Sequence, residues 1–259
     1  MIPLRQVEFK PPMSEMPMHY LDVTLATAVE NVALDEALLV EAEERGGPPI
    51  LRLWELKHFA VILGASCRMA DDLQSEACRA DGVEVARRSS GGGTVVIGPG
   101  ALNVSVILPI RSHPELLGVE SAQRHILSRF LDAIRAAGLP QAEMQGSGDL
   151  TLGGRKFSGS AQRRLRDHVL IHASMLYHFP LDLIDRYLAL PPRRPAYRLN
   201  RSHEDFVTNL PMSLDLLREA CRVAWLPHDR TMAPAEVPRE GLARLLETKF
   251  SKSGWIERL

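Results

Sequence analysis

Three glycines in a row, Gly91-Gly92-Gly93, follow an alternating run at 83–86 and the polar stretch Arg87-Arg88-Ser89-Ser90. Each glycine inside a helix or strand costs about 0.5–1 kcal/mol relative to alanine, so a triple run confines this segment to a turn or loop. Apolar alternation resumes at 94–97, and the whole stretch is therefore strand, loop, strand. Two uses of such a loop remain open. It can be a flexible hairpin turn flanked by a solvated basic pair. Alternatively its backbone N–H groups can converge on an anion, as nests do, with the arginines adding planar, permanently charged forks. The stretch matches neither G-x-G-x-x-G nor G-x-x-x-x-G-K-[ST], so the common nucleotide fingerprints do not apply.

A second segment has related chemistry. In Gly153-Gly154-Arg155-Lys156-Phe157-Ser158-Gly159-Ser160-Ala161-Gln162 a lysine sits among small residues, with Asp149 seven positions upstream. A lysine in a hairpin is usually a solvated charge. Set against a glycine-lined anion loop, it becomes a compact cation for a carboxylate undergoing activation.

The rest of the chain predicts an α+β fold with a mixed sheet flanked by helices. Thr27 and Glu30 form a capping-box pair ahead of a helical period, and Gly46-Gly47-Pro48-Pro49 ends it. Strands are expected at 50–54, 59–63, 83–86, 94–97, 103–108 and 169–177. Two short strands are expected about a Gly153-Gly154 turn. Helices are expected at 70–81, 119–137, after Pro180, and at 213–225 and 236–248. Residues 1–18 suggest an extended arm. A change of texture around Pro191-Pro192-Arg193-Arg194-Pro195 suggests a catalytic domain over 1–195 and a small, mainly helical extension over 196–259.

Charge narrows the partners. With 31 basic and 32 acidic residues the net charge is −1, so no overall field favours nucleic acid or an anionic membrane surface. No run of about 18 apolar residues suggests a membrane span, and the N-terminus lacks a signal-peptide core. A cytoplasmic, monomeric protein is expected. Cys67, Cys78 and Cys221 are far apart and form no C-x-x-C, so neither a disulfide framework nor a resident thiolate metal site is indicated.

The two stretches together resemble the lipoate–protein ligase A family, within the fold group of biotin–protein ligases and octanoyltransferases. The family's RRxSGGGxV element is met at 87–95. Its GxxD element is met by Gly146-Ser147-Gly148-Asp149, and its GRKxSGSAQ-like element at 154–162. Weaker matches occur at 31–38 (NVALDEAL), at 51–55 (LRLWE) and at 61–64. The resemblance implies a biotin/lipoate ligase-like catalytic domain that activates lipoate or octanoate with ATP and Mg2+ and passes it to a carrier lysine. It implies Lys156 as the catalytic cation at the acyl carbonyl. Arg88, Ser90, Gly91, Gly92, Gly93, Thr94, Val95, Ser158, Gly159, Ser160, Ala161 and His172 would contact the acyl-adenylate, and Asp149 the nucleotide and its magnesium. Expected carriers are the acyltransferase domain of a 2-oxoacid dehydrogenase, the glycine-cleavage H protein or a specialised carrier, with a separate accessory protein in some short forms.

Two positions depart from the ligase pattern: Ile97-Gly98 stands where a His-Asp pair is usual, and Gly148 where Asn is usual. An octanoyl or lipoyl transferase needs a reactive thiol for its thioester. Residues 139–155 and 163–200 contain no cysteine, which favours ATP-dependent ligation. An atypical transferase without a cysteine and a non-catalytic lipoyl- or adenylate-binding homologue are the alternatives. His168 and His172 are four apart but enclose Val-Leu-Ile, not H-E-x-x-H, so structural histidines are expected there.

Overall fold

The computed structural model describes residues 17–190, 195–225 and 233–258; residues 1–16 of the arm expected over 1–18, and the stretch 191–194, lie outside them. The chain runs through β1 (His19–Asp22), α1 (Ala28–Arg45), β2 (Ile50–Trp54), β3 (Ala60–Leu63), α2 (Met69–Asp72), α3 (Ser75–Ala80), β4 (Glu84–Arg87) and β5 (Val95–Ile97). It continues with β6 (Ala101–Pro109), α4 (Val119–Ala136), β7 (Ala142–Gln145), β8 (Asp149–Leu152), β9 (Arg155–Arg164) and β10 (His168–Leu176). The last elements are α5 (Asp182–Tyr187), α6 (His203–Phe206), α7 (Leu214–Val223), β11 (Ala233–Pro234), α8 (Arg239–Leu245) and α9 (Ser253–Ile256).

An eight-stranded mixed sheet has the order β11-β1-β2-β6-β10-β9-β8-β7, and a second sheet the order β4-β3-β5. The expected α+β class, with a mixed sheet and a helical C-terminal tail, is borne out. Helix α1 starts where expected: Thr27 Oγ1 accepts from Glu30 N while the Glu30 carboxylate accepts from Thr27 N. Gly46, at φ 65°, ends it in the left-handed conformation. Its first turns pack Val32 and Ala33 against Ile62 and Ala86 of the small sheet, and its later turns pack Leu38 and Leu39 against Ile107 and Leu170 of the large one. One helix thus joins the two sheets. On the other face of the large sheet, α4 buries Ile126, Phe130 and Ile134 beneath Val104, Val106 and Ile171.

Residues beyond 195 pack against this body. Leu217, Cys221 and Trp225 share the core of α4, β11 pairs with β1, and Trp255 Nε1 donates to Arg87 O at 2.9 Å. Among the described residues no helix is long and apolar enough to cross a membrane.

The helix expected at 70–81 is two helices. Between them Leu73 bridges to Leu188 and Gln74 N donates to Tyr187 O, so tertiary pairing interrupts the helical ladder. Strands β1 and β7, four residues each, were not expected; they lie toward the margins of the large sheet and lack a strong alternation. The Gly153-Gly154 turn forms as expected, with φ of 57° and 72°, but β9 continues for ten residues beyond it.

Candidate active site

Strands β4 and β5 deliver the glycine loop to one side of a cavity of about 320 Å³, and β9 and β10 form its opposite wall. Arg88, Gly93, Thr94 and Val95 line it from the first side; Lys156, Ser158, Gly159, Ser160, Ala161 and His172 line it from the second. Ser90, Gly91, Gly92 and Asp149 are not among the lining residues; Ser90 and Asp149 touch this wall through His172 and Lys156, and Gly91 and Gly92 are exposed. The deeper part is apolar, with Val32, Trp54 and Ile62.

Arg88 organises the loop. Its guanidinium donates to Ile62 O, Gly91 O and Gly93 O at 3.2, 2.7 and 2.8 Å, and to Ser90 Oγ at 3.0 Å. No carboxylate pairs with it among the described residues, and burial pulls its pKa down to about 10. A buried cation held only by neutral carbonyl and hydroxyl oxygens favours an incoming anion. The N–H groups of Gly91, Gly92 and Gly93 donate to nothing in the described structure, and a Cβ at Gly91 or Gly93 would meet open space. Gly92 is different: its φ is 83° and a Cβ there would come within 3.1 Å of Arg88 Nη2.

Behind the loop runs a buried polar chain. Ser90 Oγ lies 2.6 Å from His172 Nε2, and His172 Nδ1 lies 3.5 Å from Asp35 Oδ2. Ser105 Oγ donates to Asp35 Oδ2 at 2.8 Å, and Arg52 Nη1 to Asp35 Oδ1 at 2.6 Å. Burial opposes charge on Asp35, yet Arg52, His172 and Ser105 outweigh it and hold the carboxyl below the usual range. Arg88 can only donate, so the Ser90 hydroxyl and the His172 ring are both satisfied when Ser90 gives its proton to Nε2 and His172 carries its own on Nδ1. His172 thereby fixes the Ser90 end of the loop.

On the second wall, Lys156 Nζ pairs with Asp149 Oδ1 at 2.7 Å, and Tyr197 OH donates to Asp149 Oδ2 at 2.6 Å. A Cβ at Gly159 would lie 2.8 Å from Nζ, so this glycine leaves room for the lysine to cross its own strand. Thr208 N donates to Lys156 O at 2.9 Å and Arg201 Nη1 to Gly154 O, so the chain after 195 covers this hairpin. Ser158 Oγ is buried in the cavity wall with no hydrogen-bond partner, which leaves a polar contact for a ligand.

Both departures from the ligase pattern have a local cause. A Cβ at Gly148 would lie 2.5 Å from Gln123 Nε2, and that amide donates to Ser160 Oγ at 2.6 Å. Gln123 of α4 therefore supplies a polar group where a side chain at 148 would stand. A Cβ at Gly98 would collide with the Phe59 ring at 2.4 Å, so no aspartate fits there, and Ile97 is core.

Asp35, Arg52, Ser105, Gln123 and Cys67 join the site without a role expected from sequence. A signal existed for two of them: a carboxylate on the apolar side of α1 and an arginine inside ILRLW are charges that burial obliges to pair. Cys67 precedes both motifs in the chain, yet its thiol donates to Gly92 O at 3.4 Å. Burial and the neighbouring Asp72, itself accepting from Thr94 Oγ1, push its pKa up despite a hydrogen bond from Thr94.

The comparisons fit this geometry. The chain is 33% identical over 195 residues to an Aeropyrum pernix protein named as a lipoate-protein ligase A, covering 75% of this chain and 69% of that one. It is 26% identical over 270 residues to the octanoyltransferase LipM of Carboxydothermus hydrogenoformans, covering 92% and 98%. A solved bipartite lipoate protein ligase from Thermoplasma acidophilum superposes with a TM-score of 0.80 at 26% identity, over 94% of this chain and 97% of that one. The catalytic domain of lipoyl protein ligases A and B matches residues 27–222, and the chain belongs to that family.

Proposed function

We infer that the cavity holds an acyl-adenylate and that the protein is an ATP-dependent lipoate–protein ligase. The observation that carries this reading is the convergence of cationic and backbone donors on one cavity: the Arg88 guanidinium, which no carboxylate pairs among the described residues, the glycine loop entering at Gly93 with its unpartnered N–H, and Lys156, held in place by Asp149. A mixed anhydride of a fatty acid and a phosphate places its negative charge where these donors meet, and its hydrocarbon tail fits toward Val32, Trp54 and Ile62.

Two steps follow. A carboxylate oxygen of lipoate or octanoate attacks the α-phosphorus of ATP, entering as its magnesium complex, and the bond to the leaving pyrophosphate breaks. The carrier lysine, as free amine, then attacks the acyl carbon; the bond to AMP breaks and the nitrogen sheds a proton. Lys156 stabilises the oxygen charge in both steps. Asp149 and Tyr197 aim Lys156, and when the ammonium turns to substrate the carboxylate is released toward MgATP. Arg88 and the glycine loop hold the phosphate, Thr94 and Val95 border the nucleotide, and Ser158 and Ser160 contact the acyl-phosphate region. Gly159 and Ala161 keep that strand low, and His172 holds the loop through Ser90. The partner is a lipoyl-carrier domain; the bipartite architecture of the Thermoplasma relative supports a separate accessory protein here as well.

The likeness to LipM raises a transferase as the second reading. Cys78 and Cys221 are buried away from the cavity, burial pushes the Cys221 thiol up to about 12, and Cys67 is held as a thiol beside a carboxylate. Reactive cysteines have lowered pKa values, so none of the three suits a thioester. Pyrophosphate release from ATP that requires lipoate or octanoate tests the reading. Release by the wild type and its loss in a folded Lys156→Met variant are expected. A protein that releases none, yet moves octanoate from a thioester donor, overturns it.

A further inference from the structure

Away from this cavity the fold brings two imidazoles and a carboxylate together. His113 precedes the 3-10 turn Pro114–Leu117, which carries Glu115, and His125 sits in the second turn of α4. One ligand atom of each residue lies within 4.8 Å of the other two. His113 Nδ1 contacts the Glu115 carboxylate, and the His113 and His125 rings stack with centroids 4.3 Å apart. His125 Nε2 is shielded from solvent and makes no hydrogen bond in the described structure, a cost that a native fold rarely leaves uncompensated. None of the three residues lines the candidate active site.

We propose that His113, Glu115 and His125 form a binding site for a divalent transition-metal ion of the zinc class. Two imidazole nitrogens and one carboxylate suit Zn2+, Co2+ or Ni2+, whereas Mg2+ and Ca2+ take oxygen ligands. With bonds of about 2.0–2.1 Å, a tetrahedral zinc sets its ligands roughly 3.4 Å apart. The three ligand atoms already lie within 4.8 Å of one another, so side-chain torsions, those of the half-exposed Glu115 included, suffice to set that spacing. A shallow groove holding Ser121, Ser128 and Glu143 opens beside His125 and leaves room for a water as fourth ligand. The ion would tie the Pro114–Leu117 turn to α4. That helix also carries Gln123, bound to Ser160, and Arg124, bound to Gly146 O, so metal occupancy stiffens the support of the Asp149 turn.

The test uses the full chain without any affinity tag, stripped with chelator. Calorimetric titration with ZnCl2 and absorption titration with CoCl2 should each show one ion per chain. Zinc should raise the Tm by several degrees, and MgCl2 should not. His125→Ala should weaken zinc binding about tenfold or more. Glu115→Gln, an isosteric change on a partly exposed side chain, should do the same while leaving the metal-free Tm unchanged, which separates lost ligation from lost folding. Equal zinc affinity in the wild type and both variants, or no binding at millimolar zinc, overturns the site. The outcome is independent of which acyl chemistry the cavity performs.

Discussion

Replacing Asp35 by asparagine removes the only carboxylate that faces the fully buried Arg52 guanidinium among the described residues. Breaking a buried ion pair from one side costs about 3–5 kcal/mol, because the remaining charge stays desolvated. Asparagine still accepts from Ser105, which places the cost near the lower end. Unfolding entropy of about 2.1 cal/mol/K per residue gives this chain about 0.5 kcal/mol per degree, so a cost of about 3 kcal/mol should lower the Tm by roughly 6 °C at pH 7. The pH dependence has a fixed sign. The folded-state pKa of Asp35 lies below its unfolded value, so the folded state binds fewer protons. The contribution is complete above the unfolded pKa of about 4 and disappears as pH falls through the lower folded value. Thermal unfolding of both proteins between pH 7 and pH 3 should show a constant gap that closes only on acidification. A gap below about 2 °C at pH 7, or one that widens with acid, refutes the buried-pair argument.

Other expectations follow from single contacts. Lys156→Met should lower lipoate-dependent pyrophosphate release by about a hundredfold or more while the Tm moves little, since Lys156 is partly exposed. Gly92→Ala should cost about 1–3 kcal/mol, from its φ of 83° and the Arg88 contact, whereas Gly91→Ala should leave the Tm nearly unchanged; paired melts check both. Cys67→Ser should retain most lipoylation activity, and a complete loss would return the thioester route to the foreground. Gly148→Asn should displace Gln123 from Ser160 and reduce activity, read as kcat at saturating ATP.

What could be read from sequence was local. The Thr27–Glu30 cap, the Gly153-Gly154 turn and the two long helices α1 and α4 depend on neighbouring residues, and each forms where its own residues predict it. The glycine loop and the Lys156 hairpin were recognisable as motifs, and the fold brings them to one cavity. The supporting chain from Ser90 through His172 to Asp35 and Arg52 was not readable, because its members come from a loop, a helix and two strands that meet only through sheet order. Gln123 was invisible for a similar reason: its role depends on an absent side chain at Gly148, contributed by another element. The break between α2 and α3 reflects a tertiary bridge to Leu188 that no helical period encodes. Cys67 shows the same limit in reverse, since its distance along the chain from both motifs gave no hint of its contact with Gly92.

The most direct test supplies the intermediate itself. Chemically prepared lipoyl-AMP is incubated with a lipoyl-carrier domain and the protein, and the carrier is weighed by intact mass spectrometry. One lipoyl group gained on the carrier lysine, with AMP released and with the gain lost in Lys156→Met, is the predicted result. No gain from lipoyl-AMP, together with acyl transfer from an octanoyl thioester, would contradict the adenylate cradle.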